Sequence, residues 1–210
     1  MAREEKKILF IGGSPCSGKS TVAERMEKEF GMKYFKADDY LDDFMNRAAK
    51  RKLPVCKAAM AMKADEIWMR DPQEQCDEEF AIYREIAGYA FEELNRIKAP
   101  LIIAEGAGFT PEVMKKYKTD KYVCIIPTPD FQISHYRQRS WVPYVLDGCT
   151  DQDKAFDNWM QRDILYAAKI REECAEQGIS CLVNDGSYSE DSMFRQVAEL
   201  LGLIKEEDGQ

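Results

Sequence analysis

The segment from Gly13 to Ser20 constrains this chain more than any other feature of its sequence. It reads Gly-Ser-Pro-Cys-Ser-Gly-Lys-Ser, which matches the pattern Gly-x-x-x-x-Gly-Lys-Ser/Thr throughout. An apolar run over residues 7–11 precedes it, and a helix-favouring run begins at Thr21. In such a context the glycines let backbone N–H groups wrap a phosphate, and the helix N-terminus adds positive potential. The segment therefore predicts a loop that binds the phosphates of a nucleoside triphosphate.

Within this loop, Lys19 is expected to reach the β- and γ-phosphates, and Ser20 is expected to offer its hydroxyl to Mg²⁺. ATP and Mg²⁺ are therefore the expected cofactors. The sequence lacks both the Asn/Thr-Lys-x-Asp and the Asp-x-x-Gly motifs of GTPases, which favours a small kinase. The residues predicted to bind the nucleotide are Gly13, Ser14, Pro15, Cys16, Ser17, Gly18, Lys19, Ser20 and Thr21.

Short apolar runs alternate with longer stretches of helical period along the chain, a pattern that is typical of a parallel α/β sheet. Residues that cap helices stand before prolines at Asp71, Thr110 and Thr128, and Ser189 precedes two acids; each predicts a helix start. The expected fold is a single three-layer α/β domain over residues 1–210. Its predicted strands cover residues 7–11, 33–36, 101–104, 122–126 and 180–183.

Two stretches depart from plain alternation of strands and helices. Residues 41–100 are too many for one crossover helix, and we predict several helices there, on the substrate side of the sheet. Residues 137–156 are polar and contain Trp141, Pro143 and Gly148, which predicts a loop-rich lid.

The composition excludes several classes of protein. The chain has 210 residues and a net charge of −8, which disfavours broad binding of nucleic acid. Its longest apolar runs are far shorter than the ~20 residues that a bilayer-spanning helix needs, and the N-terminus does not resemble a signal peptide. Seven cysteines without a Cys-x-x-Cys pair, together with one histidine, favour free thiols over a disulfide framework or a zinc site. We therefore expect a soluble cytoplasmic domain without a membrane partner.

Two acids, Asp38 and Asp39, follow the second predicted strand. The carboxyl end of a parallel strand lies at the edge of the sheet where ligands bind, beside the predicted phosphate loop. Phosphoryl transfer to a hydroxyl needs a carboxylate that accepts the proton of the acceptor. We predict Asp38 as that base, and Asp39 as a helix cap or a second contact to substrate. In the alternative interpretation both acids are caps or solvated turn residues.

The loop and the following Ala37-Asp38-Asp39-Tyr40 segment together resemble P-loop kinases of the nucleoside-monophosphate-kinase-like group. Similar members are polynucleotide 5′-kinase, chloramphenicol phosphotransferase, and zeta-toxin-like or shikimate-kinase-type enzymes. The resemblance implies the three-layer P-loop NTPase fold, with a five-stranded parallel sheet in the order 2-3-1-4-5. It also implies that Asp38 is the catalytic base and that a lid lies near residues 137–156.

Arginine is the residue best suited to the charge that develops on a transferring phosphoryl group. Arg137 and Arg139 at the start of the predicted lid are the candidates, and Arg162 follows as a substrate contact. Glu105 closes the third predicted strand. It could hold a magnesium-bound water or a substrate hydroxyl, or it could only bind backbone N–H groups of its loop.

The sequence leaves three functions open. The first is an ATP- and Mg²⁺-dependent kinase that phosphorylates a hydroxyl or a phosphate of a small molecule. The second is an ATP-binding switch that has no acceptor chemistry. The third is a polynucleotide 5′-kinase. The net charge opposes binding of nucleic acid, but the basic stretch over residues 47–63 could hold a short anionic end.

Overall fold

The computed structural model describes residues 6–119 and 121–205. The five strands form one all-parallel sheet in the order 2-3-1-4-5, which confirms the predicted fold class. Each predicted strand is present, with bounds within one residue of the expectation. The first and last five residues of the predicted domain lie outside the described residues. The strands are β1 (Lys7–Gly12), β2 (Lys33–Lys36), β3 (Leu101–Glu105), β4 (Tyr122–Pro127) and β5 (Cys181–Asn184).

Helices cover both faces of the sheet and one edge of the cleft above it. A 3₁₀ turn, Ala37–Tyr40, follows β2 directly. Within the described ranges, no helix is both long and apolar enough to cross a bilayer. The helices are α1 (Lys19–Phe30), α2 (Leu41–Lys50), α3 (Pro54–Ala59), α4 (Ala64–Trp68), α5 (Pro72–Arg96), α6 (Pro111–Lys116), α7 (Pro129–Arg137), α8 (Val142–Val145), α9 (Gln152–Gln177) and α10 (Glu190–Leu200).

The predicted helix starts coincide with the observed ones. The Asp71 carboxylate accepts hydrogen bonds from the first-turn N–H groups of α5, the shorter being 2.8 Å from Gln73. Thr110 and Ser189 cap α6 and α10 with their hydroxyl oxygens. Thr128 occupies the corresponding position of α7, but its side chain accepts no capping hydrogen bond.

Apolar side chains on the two faces of the sheet bury two separate cores. Leu9 and Ile11 on β1 point toward α1 and α10, whereas Phe10 points toward α5 and α9. This alternation follows from the two-residue period of a strand. On the second face α5 packs against α9, with the rings of Phe80 and Tyr166 stacked at 4.4 Å. The sheet is thereby held between helical layers, and its carboxyl edge is left open.

The strand register brings the predicted site residues to that open edge. Glu105 at the end of β3 lies opposite Ile11 of β1 and opposite Lys36 of β2. The phosphate loop follows β1, and Asp38 follows β2. Since β3 lies between these two strands, Glu105 lies between the phosphate loop and Asp38.

The two irregular stretches have more helix than the pattern suggested. Residues 41–100 hold α2 to α5, so several helices are present there as predicted. The expectation of a loop-rich stretch over residues 137–156 is wrong at its ends, because Arg137 belongs to α7 and residues 152–156 begin α9. The connection contains α8, and Val142 and Leu146 are buried with Tyr136 and Trp159 in a small core of their own. That core holds the connection against α9.

The cap of α5 should contribute measurably to stability, because α5 forms one wall of the cleft. We expect Asp71→Ala to lower the free energy of unfolding by about 1 kcal/mol, the usual contribution of an N-cap side chain. Urea denaturation measures the change. Thr128→Ala is the matched control, since Thr128 stands at an N-cap position without a capping bond, and it should cost clearly less. Equal losses in the two variants would contradict this account of the cap.

Candidate active site

The phosphate loop wraps tightly between β1 and α1. Gly13 and Gly18 have φ angles of 115° and 92°, in the region that only glycine adopts at little cost. A Cβ on Gly13 would also overlap the backbone of Ile125 on β4, so the loop lies directly against that strand. Asn184 at the end of β5 donates a hydrogen bond of 3.1 Å to the Ser17 carbonyl from the other side. The conformation of the loop is therefore fixed by its neighbours as well as by its glycines.

Lys19 is folded into the loop rather than extended into solvent. Its Nζ donates hydrogen bonds to the Ser14 carbonyl at 2.6 Å and to Ser17 Oγ at 3.4 Å, and only 5% of the residue is exposed. The ammonium group thus lies against oxygen atoms of its own loop, where a bound phosphate would contact it.

Ser20 and Glu105 form the second part of the site. Ser20 Oγ donates to Glu105 Oε2 at 3.2 Å, and the Tyr34 hydroxyl donates to the same oxygen at 2.8 Å. Burial raises the pKa of Glu105, while Lys19 and the two hydroxyl donors lower it. Hard oxygen donors such as these suit Mg²⁺. Tyr34 was not predicted, because nothing in its local sequence marks it as a partner of Glu105.

Asp38 lies in the 3₁₀ turn and faces the cleft on the far side of Glu105. The backbone of Ala107 lies beside its carboxylate and lowers its pKa. Asp38 is exposed at the mouth of the cleft, and the cleft walls enclose its carboxylate only in part. This partial desolvation raises its pKa, the Lys19 and Lys36 ammonium groups lower it, and Glu79 raises it further. A Cβ on Gly106 would lie 2.7 Å from Ala37 Cβ and 3.3 Å from Asp38 Oδ1, so glycine is needed where the two strand ends approach.

Asp39 does not cap the following helix, so that expectation was wrong. No side chain caps α2, whose N-cap residue is Tyr40. Asp39 Oδ1 instead lies 3.7 Å from Lys36 Nζ, and two thirds of the side chain is exposed. Its predicted role as a substrate contact stays a prediction.

The two predicted lid arginines have different surroundings. Arg139 Nη2 lies 3.4 Å from Cys16 Sγ in the phosphate loop, and its guanidinium packs over the rings of Tyr136 and Trp141. Arg137 is exposed and packs over Phe156 instead, 5.8 Å from the ring centre. Of the two, the structure brings Arg139 to the loop.

Arg162 lies on α9 beside the cleft and is paired with two carboxylates. Its nitrogens lie 3.1 Å from Glu79 Oε2 on α5 and 2.7 Å from Asp163 Oδ1. Its guanidinium also packs over Trp68, 5.4 Å from the ring centre. Sequence reasoning missed Glu79, whose carboxylate is one of the charges that act on Asp38. On the sequence it is one acid among many on an acidic helix.

A cavity of about 570 Å³ adjoins the phosphate loop, and we call it the loop-side cavity. This volume is within the range of sites for cofactors and small ligands. Phe131 and His135 on α7 stack at 3.9 Å along its wall, although neither was predicted as a site residue. The cavity is also lined by Cys16, Gly18, Thr21, Arg139, Asn184 and Gly186.

The raised pKa of Asp38 makes a prediction about stability. An acid whose pKa is higher in the folded than in the unfolded state binds its proton more tightly when folded, so its ionisation opposes folding. Stability should therefore fall as pH rises from the ordinary value of 3.8 through the raised one. We expect Asp38→Asn to be more stable than the native protein at pH 7 and to lose this advantage below pH 4. Thermal unfolding across pH measures it.

Asp39→Asn is the control for that experiment, because it removes the same charge from the neighbouring residue, whose carboxylate lies near Lys36. An equal gain in the control, or a gain for Asp38→Asn that does not depend on pH, would contradict the assigned environment of Asp38.

Comparison with known proteins places the fold. Neither a family model nor a curated protein matches this chain. Among solved structures, TT1252 from Thermus thermophilus aligns with a TM-score of 0.50 at 20% identity, over 95% of this chain and 99% of that one. Shikimate kinase from Acinetobacter baumannii in complex with shikimate aligns with a TM-score of 0.50 at 15% identity, over 97% of both chains. The chain thus has the same fold as these structures, an α/β fold with a five-stranded parallel sheet in the order 2-3-1-4-5, as its sequence predicted.

Proposed function

We propose that the protein is an ATP- and Mg²⁺-dependent kinase that transfers the γ-phosphoryl group to a small molecule. One observation carries this proposal: the carboxylate of Asp38 faces the phosphate loop across Glu105, at the carboxyl ends of neighbouring parallel strands. A protein that only binds a nucleotide has no need of a carboxylate there. A phosphotransferase needs one that holds the acceptor and receives its proton.

The nucleotide fits the loop and the adjoining cavity. Backbone N–H groups of the loop and the Lys19 ammonium would bind the phosphates, and the loop-side cavity would take the nucleoside. Ser20 Oγ and the carboxylate of Glu105, 3.2 Å apart, are the oxygen donors that would hold Mg²⁺ or its water ligands. When bound, Mg²⁺ neutralises charge on the phosphate oxygens.

Asp38 would act as the general base on the acceptor hydroxyl. The hydroxyl oxygen forms a bond to phosphorus, the bond from phosphorus to the bridging oxygen of ADP breaks, and the hydroxyl proton passes to Asp38. A pKa above the ordinary value makes the carboxylate a better proton acceptor, while Lys19 and Lys36 favour its ionised form. The products are ADP and a phosphorylated acceptor.

Arg139 is the arginine that would stabilise charge on the transferring group. Its contact with Cys16 places the guanidinium beside the loop, and in the described part of the chain it forms no ion pair with a carboxylate. Apart from the N–H that contacts Cys16 Sγ, its guanidinium donors are thus left for phosphate oxygens. Arg137 packs over Phe156 instead and is therefore less favoured than Arg139 for this role.

A polynucleotide acceptor is less favoured than a small molecule. Arg47, the first base of the basic stretch on α2, is paired with Glu92 at 2.7 Å and with Glu93 at 3.0 Å. It also packs over the ring of Tyr89. These pairings remove one of the charges that a nucleic-acid backbone would need, in a chain that is acidic overall.

Binding of the triphosphate through Lys19 can be tested without knowing the acceptor. A ligand at about 100 times its Kd stabilises the native state by roughly 2.7 kcal/mol. Mg·ATP should therefore raise the unfolding temperature of the native protein and leave that of Lys19→Ala almost unchanged. Lys33→Ala removes an exposed lysine at the start of β2 and should respond as the native protein does. Equal shifts in all three proteins would contradict the phosphate-loop assignment.

The base is tested by Asp38→Asn. Turnover should fall by about 10²–10⁴, the usual contribution of a positioned base. Mg·ATP affinity should change little, because Asp38 faces the acceptor rather than the triphosphate. Label transfer from γ-labelled ATP gives the first quantity, and titration calorimetry gives the second.

Asp39→Asn is the matched control and should retain most of the turnover. If Asp39→Asn abolished transfer while Asp38→Asn retained it, the roles within the pair would be reversed. If neither change affected transfer, the regulatory switch would become the better account.

A further inference from the structure

The acceptor side of the cleft differs in charge from the loop side. On the loop side, Lys19 and Arg139 are available to anions. On the acceptor side, Glu79 of α5 acts on Asp38 from across the cleft and raises its pKa. Two carboxylates therefore face the space in which an acceptor would lie. Lys36 also acts on Asp38, but its ammonium is paired with Asp39, 3.7 Å away.

Arg162 lies on α9 beside that space, and carboxylates already neutralise its charge. Arg162 pairs with both Glu79 and Asp163, at 3.1 and 2.7 Å, and its side chain is 13% exposed. Asp163 is buried, with 1% of its surface exposed, so this pair is shielded from solvent. Arg162 supplies one positive charge, and Glu79 and Asp163 supply two carboxylates. The guanidinium of Arg162 is therefore not free to bind an acceptor phosphate.

A small apolar pocket adjoins the reacting carboxylate, and we call it the Asp38 pocket. Its cavity of about 20 Å³ has room for one group of the size of a water molecule or a methyl. Among its lining residues, Asp38 and Tyr83 are the two whose side chains carry polar atoms. The rest of its lining is apolar and includes Leu41, Phe44, Ile86 and Phe109.

We propose that the acceptor is a hydroxyl compound that carries no phosphate or carboxylate near the reacting hydroxyl, and that it places a small apolar group in the Asp38 pocket. Glu79 is the specificity determinant, because it neutralises Arg162 and repels anions. Recognition of a phosphorylated acceptor would instead favour an unpaired cation, such as a free arginine fork. This inference rests on the proposed kinase function and selects among its acceptors.

Binding of anions tests the inference directly. The protein is first saturated with Mg²⁺ and a non-hydrolysable ATP analogue, so that the loop and its cavity are filled. It is then titrated with ribose 5-phosphate or AMP in a calorimeter. We expect a Kd above about 1 mM for both, weaker than ~4 kcal/mol of binding free energy. A Kd well below 1 mM for either probe would overturn the inference.

The Glu79→Gln variant should bind anions more tightly than the native protein does. It keeps the shape of the side chain but leaves Arg162 with a single carboxylate, so ribose 5-phosphate should bind about five-fold more tightly or better. Glu78→Gln removes the same charge one residue away, from a carboxylate paired with Arg70 at 2.5 Å, and should bind as the native protein does. No gain for Glu79→Gln, or equal gains for both variants, would overturn the role of Glu79. The native titration decides the charge question even if Glu79→Gln fails to fold.

Label transfer separates this inference from the kinase proposal. γ-Labelled ATP is offered with matched acceptors, ribose against ribose 5-phosphate and adenosine against AMP. Transfer to an uncharged member, and not to its phosphorylated partner, would support both proposals. Transfer to phosphorylated members alone would overturn the inference and leave the kinase proposal standing. Absence of all transfer would count against the kinase proposal, whereas the calorimetric Kd values of the two anions decide separately whether the cleft excludes anions.

Discussion

The buried carboxylate of Glu105 joins the elements on which the candidate site depends. It ends the strand between β1 and β2, and one of its oxygens accepts hydrogen bonds from Ser20 on α1 and Tyr34 on β2. An ionised carboxylate that is 1% exposed would be strongly unfavourable without partners. The two hydroxyls and the nearby Lys19 offset that cost. The phosphate loop and the Asp38 turn are thereby held on either side of one fixed group, as preorganised catalysis requires.

The charge on each side of the cleft depends on whether its lysine and arginine side chains are already paired with carboxylates. On one side, Lys19 is enclosed by oxygen atoms of its own loop, and Arg139 is held by a thiol and two rings. Both keep their charge for an incoming anion. On the other side, the carboxylates of Glu79 and Asp163 pair with Arg162 and neutralise its charge. In the proposed function a triphosphate is thus attracted to one side of the cleft, and the other side suits a less negative molecule.

Local patterns allowed the phosphate loop, the strands and the capped helices to be predicted from the sequence, because each is determined within a few residues. The relation of Glu79 to Asp38 could not be predicted, since it depends on how α5 packs across the sheet. Arg137 and Arg139 illustrate a second limit. Residues two apart near a helix end differ by about 200° in direction, so only the position of α7 decides which one meets the loop. Asp39 illustrates a third limit. Aspartate is favoured at N-cap positions, but Asp39 does not cap the helix that follows it.

The central claim is that this cleft transfers a phosphoryl group to a bound hydroxyl. Incubating the protein with γ-labelled Mg·ATP and a panel of nucleosides, sugars, amino alcohols and oligonucleotides with 5′-hydroxyl ends tests it most directly. This account predicts that label is recovered on a hydroxyl of one uncharged or amine-bearing small molecule, and that Asp38→Asn suppresses this transfer. Label released only as inorganic phosphate, at a rate that Asp38→Asn does not change, would contradict it.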